Sequence, residues 1–268
     1  MSVFQAVVLG AVQGLTEFLP ISSSGHLVIF PILLNWREQP VVFDTTMHIA
    51  TACALSVYFW KDIWNIARNF FADFSSFGFA LGKYTENGAL ALKIVVGCIP
   101  AGLLGFFFED AFETYFRSVE SVMLFLMAGA LLIYFAEKLL KREDNKITYK
   151  KSFLIGLFQS LALFPGFSRS GSTISGGMFL GLTRENAARY SFLLSIPIIF
   201  AAGFYKLLST EWTGSDVSFG VLGFGFISSF VVGLAAIKIL LEFVKKNTLY
   251  VFVVYRIVLF LILSLIIF

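Results

Sequence analysis

The feature that most constrains this chain is a series of apolar stretches long enough to cross a lipid bilayer. A membrane-spanning helix needs about 20 mostly apolar residues. Six stretches meet that length, at about 41–60, 89–108, 119–137, 187–208, 218–240 and 248–268. Charged residues make up 14% of the 268 residues, which is too few to cover a water-soluble domain of this size. The sequence therefore predicts an all-α, multi-pass membrane protein with six transmembrane helices.

Two further apolar regions contain polar interruptions. Residues 3–34 are interrupted by Pro20 and by the run SSSG at 22–25. Residues 152–181 are interrupted by the pair PG at 165–166 and by the run SRSG that follows it. Each half is too short to cross the bilayer, and non-helical backbone at membrane depth needs protein or water around it. We therefore expect two re-entrant helical hairpins.

Positive charge predicts the orientation of the chain, because cytoplasmic loops carry an excess of Lys and Arg. The loop 138–151 is the most basic, so we place it in the cytoplasm and both termini on the other side. Its basic residues are Lys138, Lys141, Arg142, Lys146, Lys150 and Lys151. Tracing the spans outward puts further charged residues on that side, among them Lys61, Arg184, Arg189 and Lys245.

The two interrupted regions resemble each other. Residues 10–25 (GAVQGLTEFLPISSSG) align without a gap with residues 156–171 (GLFQSLALFPGFSRSG), and the shared residues include Gln, Ser and Gly. Three predicted spans separate the copies, so the second copy must be inverted, as in transporters built from inverted repeats. We predict a single membrane domain, with inverted repeats at approximately 1–140 and 150–268.

The copies differ in their ionisable side chains, which are costly inside a membrane and are therefore candidate functional groups. The unlike aligned pairs are Glu17 with Leu163, Ser23 with Arg169, and His26 with Ser172. One copy supplies a carboxylate, a hydroxyl and an imidazole, and the other supplies a guanidinium.

Arg169 is expected at the start of the half-helix 171–181. A helix N-terminus attracts anions, and a guanidinium matches two phosphate oxygens at once. The alternative is a structural arginine that binds carbonyl groups of two helices. Hydroxyl groups around both interruptions favour a phosphate ligand, although at least one serine is expected to cap a helix. The predicted substrate-binding hydroxyls belong to Ser22, Ser24, Ser168, Ser170 and Thr173.

Ser23, His26 and Glu17 are close enough in sequence to reach one pocket, as a nucleophile, a base and an orienting group. A second interpretation is that Glu17 and Gln13, four residues apart on one helix face, bind a divalent ion that neutralises phosphate charge. Weaker candidates are Asp44 and His48, which could line the same cavity or pair with each other. Arg256, Glu137 and Lys238 are expected to be snorkelling or paired groups.

The motif QGLTEFLPISSSGH (13–26) resembles the first signature of the bacterial undecaprenyl-diphosphatase family, the bacitracin-resistance proteins. The motif PGFSRSGST (165–173) is similar to the second signature of that family. The resemblance implies hydrolysis of undecaprenyl diphosphate to the monophosphate and inorganic phosphate, with a divalent metal such as Mg²⁺ or Ca²⁺. It implies functional roles for the matching residues, which are Gln13, Glu17, Ser23, His26, Ser168, Arg169 and Thr173. Gln13 fills a position that is often Glu in the family, which weakens the implied metal role.

The residues support two functions from different classes. A membrane phosphatase would use Glu17, Ser23, His26 and Arg169 as catalytic groups, with attack by Ser23 or by a metal-bound water. A polyprenyl-phosphate transporter or flippase would use the same anion site without a nucleophile. The division of polar groups between the two copies favours the enzyme. The expected partners are a polyprenyl diphosphate lipid and the bilayer of the bacterial inner membrane; no nucleic acid is expected, and a homodimer is left open.

Overall fold

The computed structural model describes residues 1–116, 118–140, 144–209 and 218–267. Lys141 and Arg142 of the predicted cytoplasmic loop lie outside the described residues. Within the described ranges the chain is helical and contains no β-strand, which confirms the all-α class. The α-helices are α1 (Val3–Phe18), α2 (Ser23–Leu33), α3 (Val41–Tyr58), α4 (Trp60–Phe77), α5 (Glu86–Phe116), α6 (Val119–Leu139), α7 (Tyr149–Ser160), α8 (Arg169–Phe179), α9 (Arg184–Ser209), α10 (Phe219–Lys246) and α11 (Tyr250–Ile267).

Five helices among the described residues are long and apolar enough to cross a bilayer, which confirms a multi-pass membrane protein. They are α3, α5, α6, α9 and α10, and they coincide with five of the six predicted spans. The sixth predicted span corresponds to α11, an apolar helix at the lower limit of the required length. The total of six spans stays a prediction.

The two interrupted regions form pairs of short helices, as their sequences predict. The first pair, α1 and α2, has 16 and 11 residues, and the second pair, α7 and α8, has 12 and 11 residues. None of the four reaches the length of a spanning helix. A turn separates the two members of each pair, and the polar residues of the interruption lie in that turn and at the start of the helix that follows it.

The apolar-stretch criterion predicts no helix between the spans at 41–60 and 89–108, but α4 fills much of this segment. Its polar and apolar residues lie on different faces of the helix, so they interrupt each other in sequence and no apolar stretch reaches the length of a span. Trp60 and Trp64 are exposed at its start, and their rings stack with centroids 6.2 Å apart. Such a helix is typical of the membrane–water interface.

The helices of the two halves pack reciprocally. The short helix α1 packs mainly on α10 of the second half, and the short helix α7 packs mainly on α5 of the first half. Glycine backbones meet at both contacts: Gly10 lies against the Gly225 carbonyl, and Gly156 lies against the Gly97 carbonyl. Small residues allow this close approach of helices in a membrane. The inverted orientation of the halves stays a prediction.

Charged residues that are predicted to lie on the same side of the membrane contact one another. Arg189 at the start of α9 bonds to Asp62 of α4 (2.8 Å), and Lys245 at the end of α10 lies 4.0 Å from Glu185. One end of the helix bundle therefore carries these groups together. Which compartment that end faces stays a prediction from charge.

Candidate active site

Two turns of equivalent geometry form the frame of the site. The first turn comprises residues 19–25 and the second turn comprises residues 165–171. Ser22 has φ 75° and ψ 100°, and Ser168, its aligned counterpart, has φ 79° and ψ 115°. Positive φ is uncommon for a residue with a side chain and marks a constrained position. Each hydroxyl accepts a hydrogen bond from the backbone N–H three residues later, at Gly25 (3.2 Å) and Gly171 (3.1 Å). Both serines are thus helix N-caps.

The two turns bond to each other through a second aligned pair of serines. The backbone N–H of Gly166 in the second turn donates to the hydroxyl of Ser24 in the first turn (3.3 Å). In the opposite direction, the hydroxyl of Ser170 in the second turn donates to the Leu19 carbonyl of the first turn (3.1 Å). These reciprocal bonds hold the starts of α2 and α8 side by side.

Glu17, at the end of α1, joins functional side chains from both turns. Its Oε2 accepts a hydrogen bond from the Ser23 hydroxyl (2.7 Å), and its Oε1 accepts one from Nη2 of Arg169 (2.6 Å). The side chains of Glu17 and Arg169 are 5% and 12% exposed, so this ion pair is shielded from solvent and its attraction is strong. Ser23 and Arg169, an aligned pair of the two copies, therefore bond to the two oxygens of one carboxylate.

An imidazole also reaches Glu17, and it belongs to His48 of α3. Its Nδ1 lies 3.4 Å from Glu17 Oε2 and 2.9 Å from Nε2 of Gln13. Because Gln13 Nε2 can only donate, Nδ1 of His48 accepts that bond, and its proton in the neutral ring is on Nε2. Of the two interpretations of His48, the structure supports the one that places it in the Glu17 cavity.

His26 is fixed by other partners. Its Nδ1 donates to the Ser22 carbonyl (2.6 Å), so its Nε2 accepts from the hydroxyl of Tyr255 on α11 (2.6 Å). The ring is 1% exposed and stacks on the ring of Tyr255. The structure therefore does not pair His26 with Ser23 or Glu17, since both ring nitrogens are bonded elsewhere.

The predicted substrate-binding hydroxyls all have partners within the protein. Ser22 and Ser168 cap helices, and Ser24 and Ser170 connect the turns. Thr173 donates to the Arg169 carbonyl (2.8 Å) and contacts the hydroxyl of Ser191 on α9 (2.5 Å). These contacts define structural roles for the five residues, and binding of substrate by any of them stays a prediction.

Two polar atoms near Glu17 are buried without a hydrogen-bond partner among the described residues. They are Oε1 of Gln13 and Nη1 of Arg169. A buried polar atom left unpaired is costly, so each is suited to a group that enters the site. Nη1 can donate to an anionic oxygen, and Oε1 can accept a hydrogen bond or coordinate a cation.

Binding of a divalent ion by Gln13 and Glu17, the predicted metal ligands, stays a prediction. Gln13 Nε2 donates to Glu17 Oε2 (3.0 Å), which keeps the two side chains together and leaves Gln13 Oε1 available. In the part of the chain that the structure describes, no group of three or more His, Cys, Asp or Glu side chains could hold a metal. Mg²⁺ commonly has one or two protein ligands, with substrate phosphates and waters as the others.

From the sequence alone His48 is a weaker candidate, Arg256 is expected to be a snorkelling or paired group, and Tyr255 has no predicted role. His48 carried one signal, the i, i+4 spacing from Asp44 on an apolar helix. Arg256 carried another, an ionisable residue within a predicted span. Tyr255 carried none, because an aromatic residue in an apolar helix is ordinary in a membrane protein.

The chain matches the protein family described as "Bacitracin resistance protein BacA" over residues 6–262. A protein of Chloroherpeton thalassium named "Undecaprenyl-diphosphatase" is 42% identical over 97% of this chain and 94% of its own length. Proteins of the same name from Geotalea daltonii (44% identical, covering 96% of this chain and 95% of the relative) and Methanosphaera stadtmanae (42%, covering 95% and 94%) are similarly related. The similarity therefore extends over both turns and nearly all helices.

Proposed function

The chain belongs to the bacitracin resistance protein BacA family, and we propose that it is a membrane undecaprenyl-diphosphatase that uses Glu17, Ser23 and Arg169 as its catalytic core. It hydrolyses undecaprenyl diphosphate to undecaprenyl phosphate and inorganic phosphate. This reaction returns the lipid carrier to peptidoglycan synthesis and confers resistance to bacitracin. A multi-pass protein with a lipid substrate of this kind belongs in the bacterial inner membrane. Assembly as a homodimer stays a prediction.

One observation supports this core above the others: a single buried carboxylate binds a hydroxyl from one helix start and a guanidinium from another. A hydroxyl bonded to a carboxylate can lose its proton to that carboxylate when it attacks an electrophile. A transporter needs an anion site but has no use for an activated hydroxyl. The arrangement therefore favours hydrolysis over the flippase alternative.

In the proposed reaction the Ser23 hydroxyl attacks the terminal phosphorus and transfers its proton to Glu17. The bond between that phosphorus and the bridging oxygen breaks, and undecaprenyl phosphate leaves with the bridging oxygen. A water molecule then hydrolyses the phosphoserine, releases inorganic phosphate and restores the Ser23 hydroxyl. Direct attack by water, with Glu17 as the base, gives the same products and is the alternative.

Arg169 has a second donor nitrogen that can bind the substrate. One nitrogen, Nη2, binds Glu17, while the buried Nη1 has no partner within the described protein. Nη1 would bind a phosphate oxygen and stabilise the charge that grows on it in the transition state. The N–H groups in the first turns of α2 and α8 add positive potential on the same side.

A divalent ion, held by Gln13 Oε1 and Glu17, would neutralise charge on the diphosphate. His48 holds Gln13 in place by accepting a hydrogen bond from its Nε2 at Nδ1, and Gln13 in turn donates to Glu17. His26 is assigned a positioning role, because it links the Ser22 carbonyl to Tyr255 at the start of α2.

The proposal is tested by phosphate release from a diphosphate with a 55-carbon chain, with the purified full-length chain in detergent. We expect equimolar phosphate and lipid monophosphate. Reconstitution in vesicles, with the substrate in one leaflet, separates hydrolysis from translocation. Movement of intact diphosphate between leaflets without phosphate release would contradict the proposed function.

A further inference from the structure

Arg256 of α11 lies in an unusual environment for a charged side chain. It is 0% exposed and is the largest fully buried side chain among the described residues. Its Nε donates to the Leu126 carbonyl of α6 (3.0 Å), and its Nη2 donates to the carbonyls of Gly166 (2.6 Å) and Phe167 (2.9 Å). Its Nη1 lies 3.5 Å from the Pro20 carbonyl. All four acceptors are backbone carbonyl groups.

These acceptors belong to three separate segments, including both turns of the site. Pro20 is in the first turn, and Gly166 and Phe167 are in the second turn. Burial of an ionised group is costly unless hydrogen bonds compensate it. The guanidinium is therefore stable in this place only while both turns and α6 keep their carbonyls directed at it.

The fork of a guanidinium is what allows one side chain to make these contacts. Its donors are fixed in a plane and point in different directions, whereas a lysine ammonium is a compact charge with a different reach. The neighbouring residue, Tyr255, bonds to His26 at the start of α2. Two consecutive residues of α11 thus reach this region: Arg256 contacts the backbone of the first turn, and Tyr255 bonds to the side chain of His26 in α2.

We propose that Arg256 is a positioning residue for catalysis, which fixes the two turns relative to each other and so places Ser23 and Arg169 on Glu17. It acts through backbone carbonyls and is separated from the reacting groups by the turns themselves. The inference depends on the proposed phosphatase function. It predicts that loss of the fork misplaces the catalytic groups while the substrate can still bind.

The first test is Arg256→Lys, which keeps the charge but loses the planar fork. We expect kcat for phosphate release to fall by about 10²-fold, the effect of misplacing catalytic groups by about 1 Å, with a much smaller change in KM. The matched control is Arg184→Lys, because Arg184 also bonds to a buried partner, Glu137, which joins it to the backbone N–H of Leu249 before α11. The control should lower thermal stability and leave kcat close to wild type.

A double-mutant cycle distinguishes positioning from a general structural role. If Arg256 acts by placing Arg169 and Ser23, then Arg256→Lys should cost much less in an Arg169→Lys background than in wild type. Losses that simply multiply, or a kcat of Arg256→Lys equal to that of Arg184→Lys, would overturn the inference. An inactive wild-type chain would instead contradict the proposed function itself.

Gly129 of α6 offers a second route if Arg256→Lys does not fold. A methyl group at Gly129 would lie 2.5 Å from Nη2 of Arg256 and 2.5 Å from the Phe167 carbonyl oxygen, so the contact between the guanidinium and the second turn must open. Gly129→Ala should therefore reduce kcat with the arginine still present. Gly102→Ala is the control, because the nearest atom to a methyl group there is a side-chain carbon of Ile198 at 3.7 Å. Equal kcat values for the two alanine variants would also overturn the inference.

Discussion

The first and second turns have the same backbone frame but different functional side chains. In both, a serine with positive φ caps the following helix, and a serine two residues later bonds across to the other turn. The residue between those serines is Ser23 in one turn and Arg169 in the other, and both bond to Glu17. The comparison shows that the repeated residues build the frame, whereas the residues that differ carry the chemistry.

Removal of the Ser23 hydroxyl should lower kcat more than any other change in the two turns. If Ser23 forms a phosphoenzyme, Ser23→Ala should lower kcat by about 10⁴-fold or more, with diphosphate binding nearly intact. If water attacks instead, an appreciable rate should remain. Rapid quenching with substrate labelled in the terminal phosphate distinguishes the two, since label on the protein appears only when Ser23 attacks.

Glu17→Gln should have the next largest effect, because it removes the charge that binds both Ser23 and Arg169. We expect kcat to fall by about 10³-fold, within the range for loss of a general base. The matched control is Leu163→Gln, which places the same amide at the aligned position of the second copy. Equal losses of activity in the two variants would show that the Glu17 carboxylate contributes no more to catalysis than Leu163 does at the aligned position.

Arg169→Lys keeps a positive charge in the second turn but loses the planar fork. One donor can then bind Glu17 or phosphate, but the two-sided geometry is lost, so we expect kcat to fall by about 10²-fold. Phosphate release at saturating substrate measures the change. Activity near the wild-type level would reduce Arg169 to a structural ion pair with Glu17.

The smallest effects are expected where the turns are alike. Ser22→Ala and Ser168→Ala each remove an N-cap, which should destabilise the protein by about 1 kcal/mol in each case. Thermal unfolding in detergent measures this, with Ser56→Ala as the control, because the Ser56 hydroxyl bonds within α3 and caps no helix. Clearly unequal losses of stability in the Ser22 and Ser168 variants would mean that the two N-caps contribute differently to the stability of the protein.

The sequence predicted the helical class, five of the spans and the two interrupted regions, and it identified Glu17, Ser23 and Arg169 as candidate functional residues. These predictions succeeded because each depends on a local property: the length of an apolar stretch, a Pro, Gly or Ser interruption, or a repeated motif. The sequence did not predict α4, since an amphipathic helix at an interface has no long apolar stretch.

Tertiary structure decided which imidazole lies beside Glu17 and which residues hold the two turns together. The sequence favours His26 over His48 as the partner of Glu17. Packing of α3 beside α1 instead brings His48 to Glu17, while α11 supplies Tyr255 to His26 from 229 residues away. Arg256 likewise finds backbone carbonyls, which have no sequence signature because every residue carries one. Contacts of this kind depend on how helices pack, so the residues that line the site are readable in the sequence, whereas the partners that position them are not.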